Sequence, residues 1–124
     1  MENNNKTFSI KKRIKSFGYA IKGIKVLITT QHNAWIHLLA TITVIIAGLI
    51  LKITIREWFM IIIAVSLVWI TEALNTAIEF MIDMIQPDYH PLVEKAKDVA
   101  ASAVLIAAIT AIVIGVIVFL PKFI

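Results

Sequence analysis

The chain has 124 residues, of which 60% are hydrophobic and only 16% charged, with no cysteine and a formal net charge of +4. Soluble domains are typically about half apolar and a quarter charged, so this composition excludes an ordinary soluble domain and points to a membrane protein of one domain. Disulfides and thiolate metal sites are excluded outright.

Residues 1–5 read as a loose polar end. From 9 to 29, Ile14, Phe17, Ile21, Ile24 and Ile28 recur every three or four positions. On a helix they fall within an arc of about 80°, with Lys11, Lys12, Lys15 and Lys22 on other sides. This pattern predicts an amphipathic helix lying on the membrane surface. The alternative is a helix packed on a partner domain. The basic residues adjoin membrane segments, so attraction to anionic headgroups explains them better than nucleic acid does. No short apolar core with a small-residue cleavage site follows, so the start is not a secretory signal.

Three apolar runs come next, within helices expected at 34–51, 58–83 and 91–120, the third run itself covering 99–120. A membrane-spanning helix needs roughly 20 apolar residues. The first and third runs meet that length; the second does so only if its acidic end is included. Residues 52–57 read as a tight turn. Pro91 suits the first position of a helix. Basic residues crowd the amino-terminal segment and recur at Lys95 and Lys97. The opposite side has only Lys52, Arg56 and Lys122. The positive-inside rule therefore predicts a cytoplasmic amino terminus and an external carboxy terminus. Trp58 suits the outer interface and Trp35 the inner one.

The second run ends in TEALNTAIEFMID, residues 71–83. Glu72, Asn75, Glu79 and Asp83 stand at i, i+3, i+7 and i+11, one stripe about 80° wide. A carboxylate facing lipid costs on the order of 3 kcal/mol even on lenient scales, so these groups must face the bundle or a wet cavity. One reading is a metal and proton-transfer site at the membrane surface. The other is a set of satisfied interhelical hydrogen bonds. Lys97 and Asp98, about the second turn of the helix that begins at Pro91, fall near the same interface. The lysine suits a phosphate, unless it merely snorkels beside a partner. Mg²⁺ typically binds through one or two carboxylates plus substrate phosphates. A base beside such a phosphate suggests phosphoryl transfer to a lipid hydroxyl. No G-x-x-x-x-G-K-[ST] loop, protein-kinase signature or G-x-S-x-G elbow is present. His32, His37 and His90 are too scattered for a metal cluster and read as hydrogen-bonding interfacial residues.

E-x-x-N-T-A-I-E-x-x-x-D at 72–83, followed by K-A-K-D-x-A-A-S-A-V at 95–104, resembles the small prokaryotic diacylglycerol kinase family. The undecaprenol kinase branch is the nearest in look. G-Y-A-x-K-G at 18–23, N-x-x-I-H at 33–37 and F-L-P-K at 119–122 add to the likeness. The resemblance implies an all-α membrane bundle, a homotrimer with three membrane helices and a surface helix per subunit. Its active sites would lie at the cytoplasmic interface, shared between neighbouring subunits. They would move the γ-phosphate of MgATP to a lipid alcohol, undecaprenol or, alternatively, diacylglycerol. By carry-over Glu72 matches the general base, Asn75 a polar residue of the site and Glu79 a metal ligand. Lys97 and Asp98 match nucleotide contacts; Tyr19, Lys12, Asp88, Tyr89 and His90 match other nucleotide-lining positions; Ala101 is assigned to the lipid substrate. The family has a glutamate as second metal ligand in a T-E-R-N-like context, where this chain reads T-Q-H-N and places Gln31. Weaker metal binding, a substituting carboxylate or an altered, even inactive, protein would each follow from that change. The rival from another class is a non-catalytic membrane bundle serving assembly or transport.

Overall fold

The structure, a computed structural model, describes residues 7–124; the polar start at 1–5 and Lys6 lie outside the described residues. Four helices follow one another: α1 (Ile10–Thr30), α2 (His32–Ile50), α3 (Ile55–Ile85) and α4 (Pro91–Phe119), closed by a single 3₁₀ turn at Leu120–Lys122. No strand occurs among the described residues. The helices α2, α3 and α4, the last continued to Lys122, are each long and apolar enough to cross a membrane.

Local chemistry sets the ends. Ser9 caps α1 by accepting from Lys12 N. Gln31 alone, in extended conformation, separates α1 from α2, a tighter junction than the pattern suggested. Residues 52–57 do not form one turn. Thr54 and Glu57 make a reciprocal capping box, with Glu57 N donating to Thr54 Oγ1 at 3.2 Å and Thr54 N donating to Glu57 Oε2 at 2.7 Å. Two otherwise orphaned amides are thus satisfied, and α3 begins at Ile55, three residues ahead of the apolar run. His90 caps α4 through Nδ1, which accepts from Leu92 N at 3.1 Å, and Pro91 takes the first helical position.

The α2–α3 turn is a Schellman-type stop. Lys52 adopts a left-handed φ of 51°, and Ile53 N reaches back to Gly48 O at 3.2 Å. That geometry folds Ile53 against Gly48 and buries it with Ile61 and Val118; Trp58, Val44 and Ile114 pack around them. Trp58 is accordingly half-buried within the bundle end. Lys122 Nζ lies 3.1 Å from Glu57 Oε1, so the end of α4 sits beside the start of α3. Helices α3 and α4 pack most extensively; α1 touches α2 and α3 only lightly.

A Cβ on Gly48 would lie 2.7 Å from Trp58 Cη2, 2.9 Å from Cζ2 and 3.1 Å from Ile53 Cδ1, too close unless the indole moves. Overpacking costs about 1–3 kcal/mol, against a helix-propensity gain of about 1 kcal/mol for alanine over glycine. Gly48→Ala is therefore expected to lower the thermal midpoint in micelles. Gly115→Ala, where nothing lies within 4 Å of the new carbon, is expected to hold or raise it. Equal shifts for the two variants would remove the Trp58 contact as the reason.

Most large apolar side chains of the spans are exposed, among them Leu39, Ile46, Ile62, Ile106 and Ile117. A patch of that extent requires a bilayer or a neighbouring subunit to cover it. In α1, Ile14, Phe17, Ile21 and Ile24 also remain uncovered, while Leu27 is the residue buried against the bundle.

Candidate functional site

The acidic stripe of α3 turns toward the other helices. Glu72 is the most deeply buried large side chain, 1% exposed, and its Oε2 lies 3.2 Å from His37 Nε2 on α2. One turn on, Asn75 is 8% exposed; its Nδ2 donates to Glu79 Oε1 at 3.4 Å, a long bond, while its Oδ1 has no partner. Thr76 Oγ1 is likewise buried and unpartnered. About two turns further along, Asp83 Oδ1 accepts from Lys97 Nζ at 2.6 Å, tying α3 to α4. Leaving a buried polar group unmatched costs about 1–3 kcal/mol, so the open Asn75 oxygen is a candidate ligand position on the groove.

Two concavities run along this face. The first, about 290 Å³, is lined by Asn33 and His37 of α2, Glu72 and Asn75 of α3, and Ala101, Val104, Leu105 and Ala108 of α4. Small side chains at Ala101 and Ala108 keep the wall opposite Glu72 open. The second, about 340 Å³, is formed by the α3–α4 loop and the first turns of α4, and gathers Asp88, Tyr89, His90, Lys97 and Asp98. Tyr89 is held there by its hydroxyl, which donates to Glu94 Oε2 at 2.9 Å. Along α3, Glu79 and Asp83 fall between the residues of the first concavity and the loop of the second, and Lys97, the partner of Asp83, lines the second.

The predicted residues thus separate into groups. Glu72, Asn75 and Ala101 share the inner groove. Asp88, Tyr89, His90, Lys97 and Asp98 share the outer one. The residues from the amino-terminal side stand apart from both. Lys12 and Tyr19 are exposed on α1, with Lys22 Nζ 5.8 Å from the Tyr19 ring centroid. Gln31 directs its amide at Thr30 Oγ1, 3.1 Å away. His37, read from sequence only as an interfacial hydrogen-bonding group, is the polar partner of the buried carboxylate. Its one sequence signal is the N-x-x-I-H spacing, which places Asn33 and His37 on one face of α2.

Among the described residues no three histidines, aspartates or glutamates cluster as a self-sufficient metal site. The donors present are hard oxygens: the half-buried Glu79 carboxylate, restrained by one long bond, and the free Asn75 Oδ1. They suit a Mg²⁺ ion that arrives with most of its ligands already supplied by phosphates and water.

Fold and site together define a polytopic helical membrane protein with a buried carboxylate opening into an interhelical groove. A family model described as prokaryotic diacylglycerol kinase matches residues 18–119. An undecaprenol kinase of Bacillus subtilis is 40% identical over 108 residues, covering 87% of this chain and 88% of its own. A diacylglycerol kinase of Synechocystis is 39% identical over 107 residues, 86% of this chain and 61% of that longer protein. A diacylglycerol kinase of Escherichia coli is 35% identical over 109 residues, 88% of this chain and 89% of its own. The chain belongs to the prokaryotic diacylglycerol kinase family, and it is a membrane lipid kinase.

Proposed function

We propose that the chain transfers the γ-phosphate of ATP to the hydroxyl of a membrane-dissolved lipid alcohol, with undecaprenol as the acceptor. The carrying observation is Glu72: a carboxylate 1% exposed, inside the bundle, lining a groove with one wall of apolar residues. Burial of an ionisable group at that depth has a function as its default explanation. The acceptor is chosen on the likeness to the undecaprenol kinase. The diacylglycerol kinases among the relatives make diacylglycerol the competing acceptor. Phosphorylation of the two lipids from ATP, in competition in the same bilayers, decides between them. Absence of phosphate transfer to either would favour the non-catalytic bundle.

In the proposed reaction Glu72 takes the proton of the lipid hydroxyl while the alcohol oxygen bonds to the γ-phosphorus. The bond from that phosphorus to the bridging oxygen breaks, and its electron pair leaves on ADP. The apolar tail stays in the bilayer; only the headgroup enters the groove beside Ala101. Lys97, with Asp98 and the loop residues Asp88, Tyr89 and His90, receives the nucleotide in the outer concavity. The Lys97–Asp83 pair is solvent-accessible on both sides, and such pairs are worth about 0–1 kcal/mol, so a phosphate can replace Asp83 as the lysine's partner. Glu79 would hold Mg²⁺, which when bound offsets phosphate charge.

Lys12, Tyr19 and Gln31 reach neither concavity of their own subunit. A homotrimer with shared sites, in which α1 of one copy lines the nucleotide site of the next, brings them in. The uncovered apolar surfaces of the spans support such an assembly, and the uncovered stripe of α1 supports its lying in the membrane interface. Each chain forms one membrane-embedded kinase domain. Its amino terminus and site face the cytoplasm of the cell membrane and its carboxy terminus faces outward, on the distribution of basic residues.

Gln31 can offer an amide oxygen to the metal but no charge. Gln31→Glu is therefore expected to lower the Mg²⁺ concentration needed for half-maximal activity, with little change at saturating Mg²⁺. Identical Mg²⁺ curves would place residue 31 away from the metal.

A further inference from the structure

We propose that His37 is the positioning residue of the Glu72 base: it donates Nε2–H to one carboxylate oxygen and leaves the other aimed at the lipid hydroxyl. The inference rests on the reading of Glu72 as proton acceptor.

Glu72 has lost almost all contact with water, and His37 Nε2 at 3.2 Å is its hydrogen-bond partner among the described residues. An ionised carboxylate only accepts, so the imidazole nitrogen facing it carries the proton. No other group on the groove donates to Glu72 among the described residues: Asn75 Nδ2 donates to Glu79, Asn33 makes no bond to Glu72, and α4 contributes only Ala101, Val104, Leu105 and Ala108.

The imidazole is itself held in place. Thr41, one turn along α2, donates its hydroxyl to the His37 carbonyl at 2.7 Å. The same Thr41 oxygen accepts from Trp69 Nε1 at 3.0 Å. Trp69 and Glu72 are three residues apart on α3, so two rungs, His37–Glu72 and Thr41–Trp69, fix the register of α2 against α3. The indole also meets the imidazole edge-on, centroids 6.1 Å apart and planes at 71°. His37 is 14% exposed, so neither ring nor carboxylate has much room to turn.

In the reaction the lipid O–H bond breaks and its proton passes to the free Glu72 oxygen. His37 keeps its own proton throughout and restrains the carboxylate. A misplacement of about 1 Å can cost roughly 100-fold in rate, and that is the size of effect expected from losing this restraint.

The test uses the full chain in lipid bilayers with MgATP and undecaprenol. A glutamine amide nitrogen reaches the position of imidazole Nε2, whereas that of asparagine falls at Nδ1. H37L and H37N are expected to lose roughly 100-fold in kcat, with KM for ATP within about twofold, and H37Q to return to within a few-fold of wild type. Equal activity of H37L and wild type, or no recovery in folded H37Q, overturns the proposal. Should H37L not fold, nitrogen NMR of wild-type His37 decides. Protonation at Nε2, with a resonance that moves in E72Q, supports the pairing; protonation at Nδ1, or no response to E72Q, refutes it. An active E72Q removes the base and this role together. An inert E72Q beside a fully active H37L removes only the role of His37.

Discussion

Glu72→Gln is expected to abolish nearly all lipid phosphorylation while leaving ATP binding intact. The substitution keeps the size of the side chain and its ability to accept from His37 Nε2 through the amide oxygen, so the packing around a 1% exposed position is preserved. What it removes is the capacity to take a proton. Positioned acid–base groups typically contribute about 10²- to 10⁴-fold, and a loss of that order in kcat is expected here. Binding should survive because the residues assigned to the nucleotide line a different concavity, around Asp88, His90 and Lys97. Turnover measured with a radiolabelled phosphate donor, beside a nucleotide-binding titration on the same preparation, separates the two effects. A wild-type rate would remove Glu72 from the mechanism. Joint loss of rate and binding would mean that the variant had disturbed the fold.

Glu79→Gln is the second large effect. The Glu79 carboxylate is half-buried, one turn beyond Asn75, and its one side-chain bond, 3.4 Å long, restrains it weakly. Loss of its charge should be felt where phosphate charge has to be offset. Removing one such electrostatic contribution typically costs about 10²- to 10³-fold in kcat. Part of that loss should be recovered by raising Mg²⁺, because the remaining oxygens can still contribute. The contrast with Glu72→Gln is diagnostic, since no Mg²⁺ concentration restores a missing base. Activity that is lost in Glu79→Gln and indifferent to Mg²⁺ would argue that Glu79 acts only by holding Asn75.

Much of this arrangement is legible in the residues. The stripe of Glu72, Asn75, Glu79 and Asp83 follows from helical spacing alone, and the cost of a lipid-facing carboxylate dictates that it points inward. Glu72 and Asn75 are indeed buried, and Asp83 pairs across to α4. The early start of α3 was also written locally, in the Thr54–Glu57 capping box, although a count of apolar residues passes over it. Other features had no local signal. Lys52 in a left-handed conformation, where glycine is usual, is visible only once Ile53 is seen folding back on Gly48. The packing of Trp58 on a glycine ten residues earlier, across the turn, likewise had no local signal.

By itself the sequence determined three helices long and apolar enough to cross a membrane, an acidic face on the second of them, and membership of a lipid kinase family. Each of these depends on spacing within one helix or on motifs contiguous in the chain, where geometry is fixed at 3.6 residues per turn. Only the tertiary structure decided that His37 meets Glu72, that Thr41 meets Trp69, that Lys97 meets Asp83, and that the α1 residues stand apart from both concavities. Those pairings depend on how far each helix is rotated and slid against its neighbour. Close contacts such as that of Trp58 on Gly48 set that rotation through packing, and no repeat within one stretch of sequence encodes it.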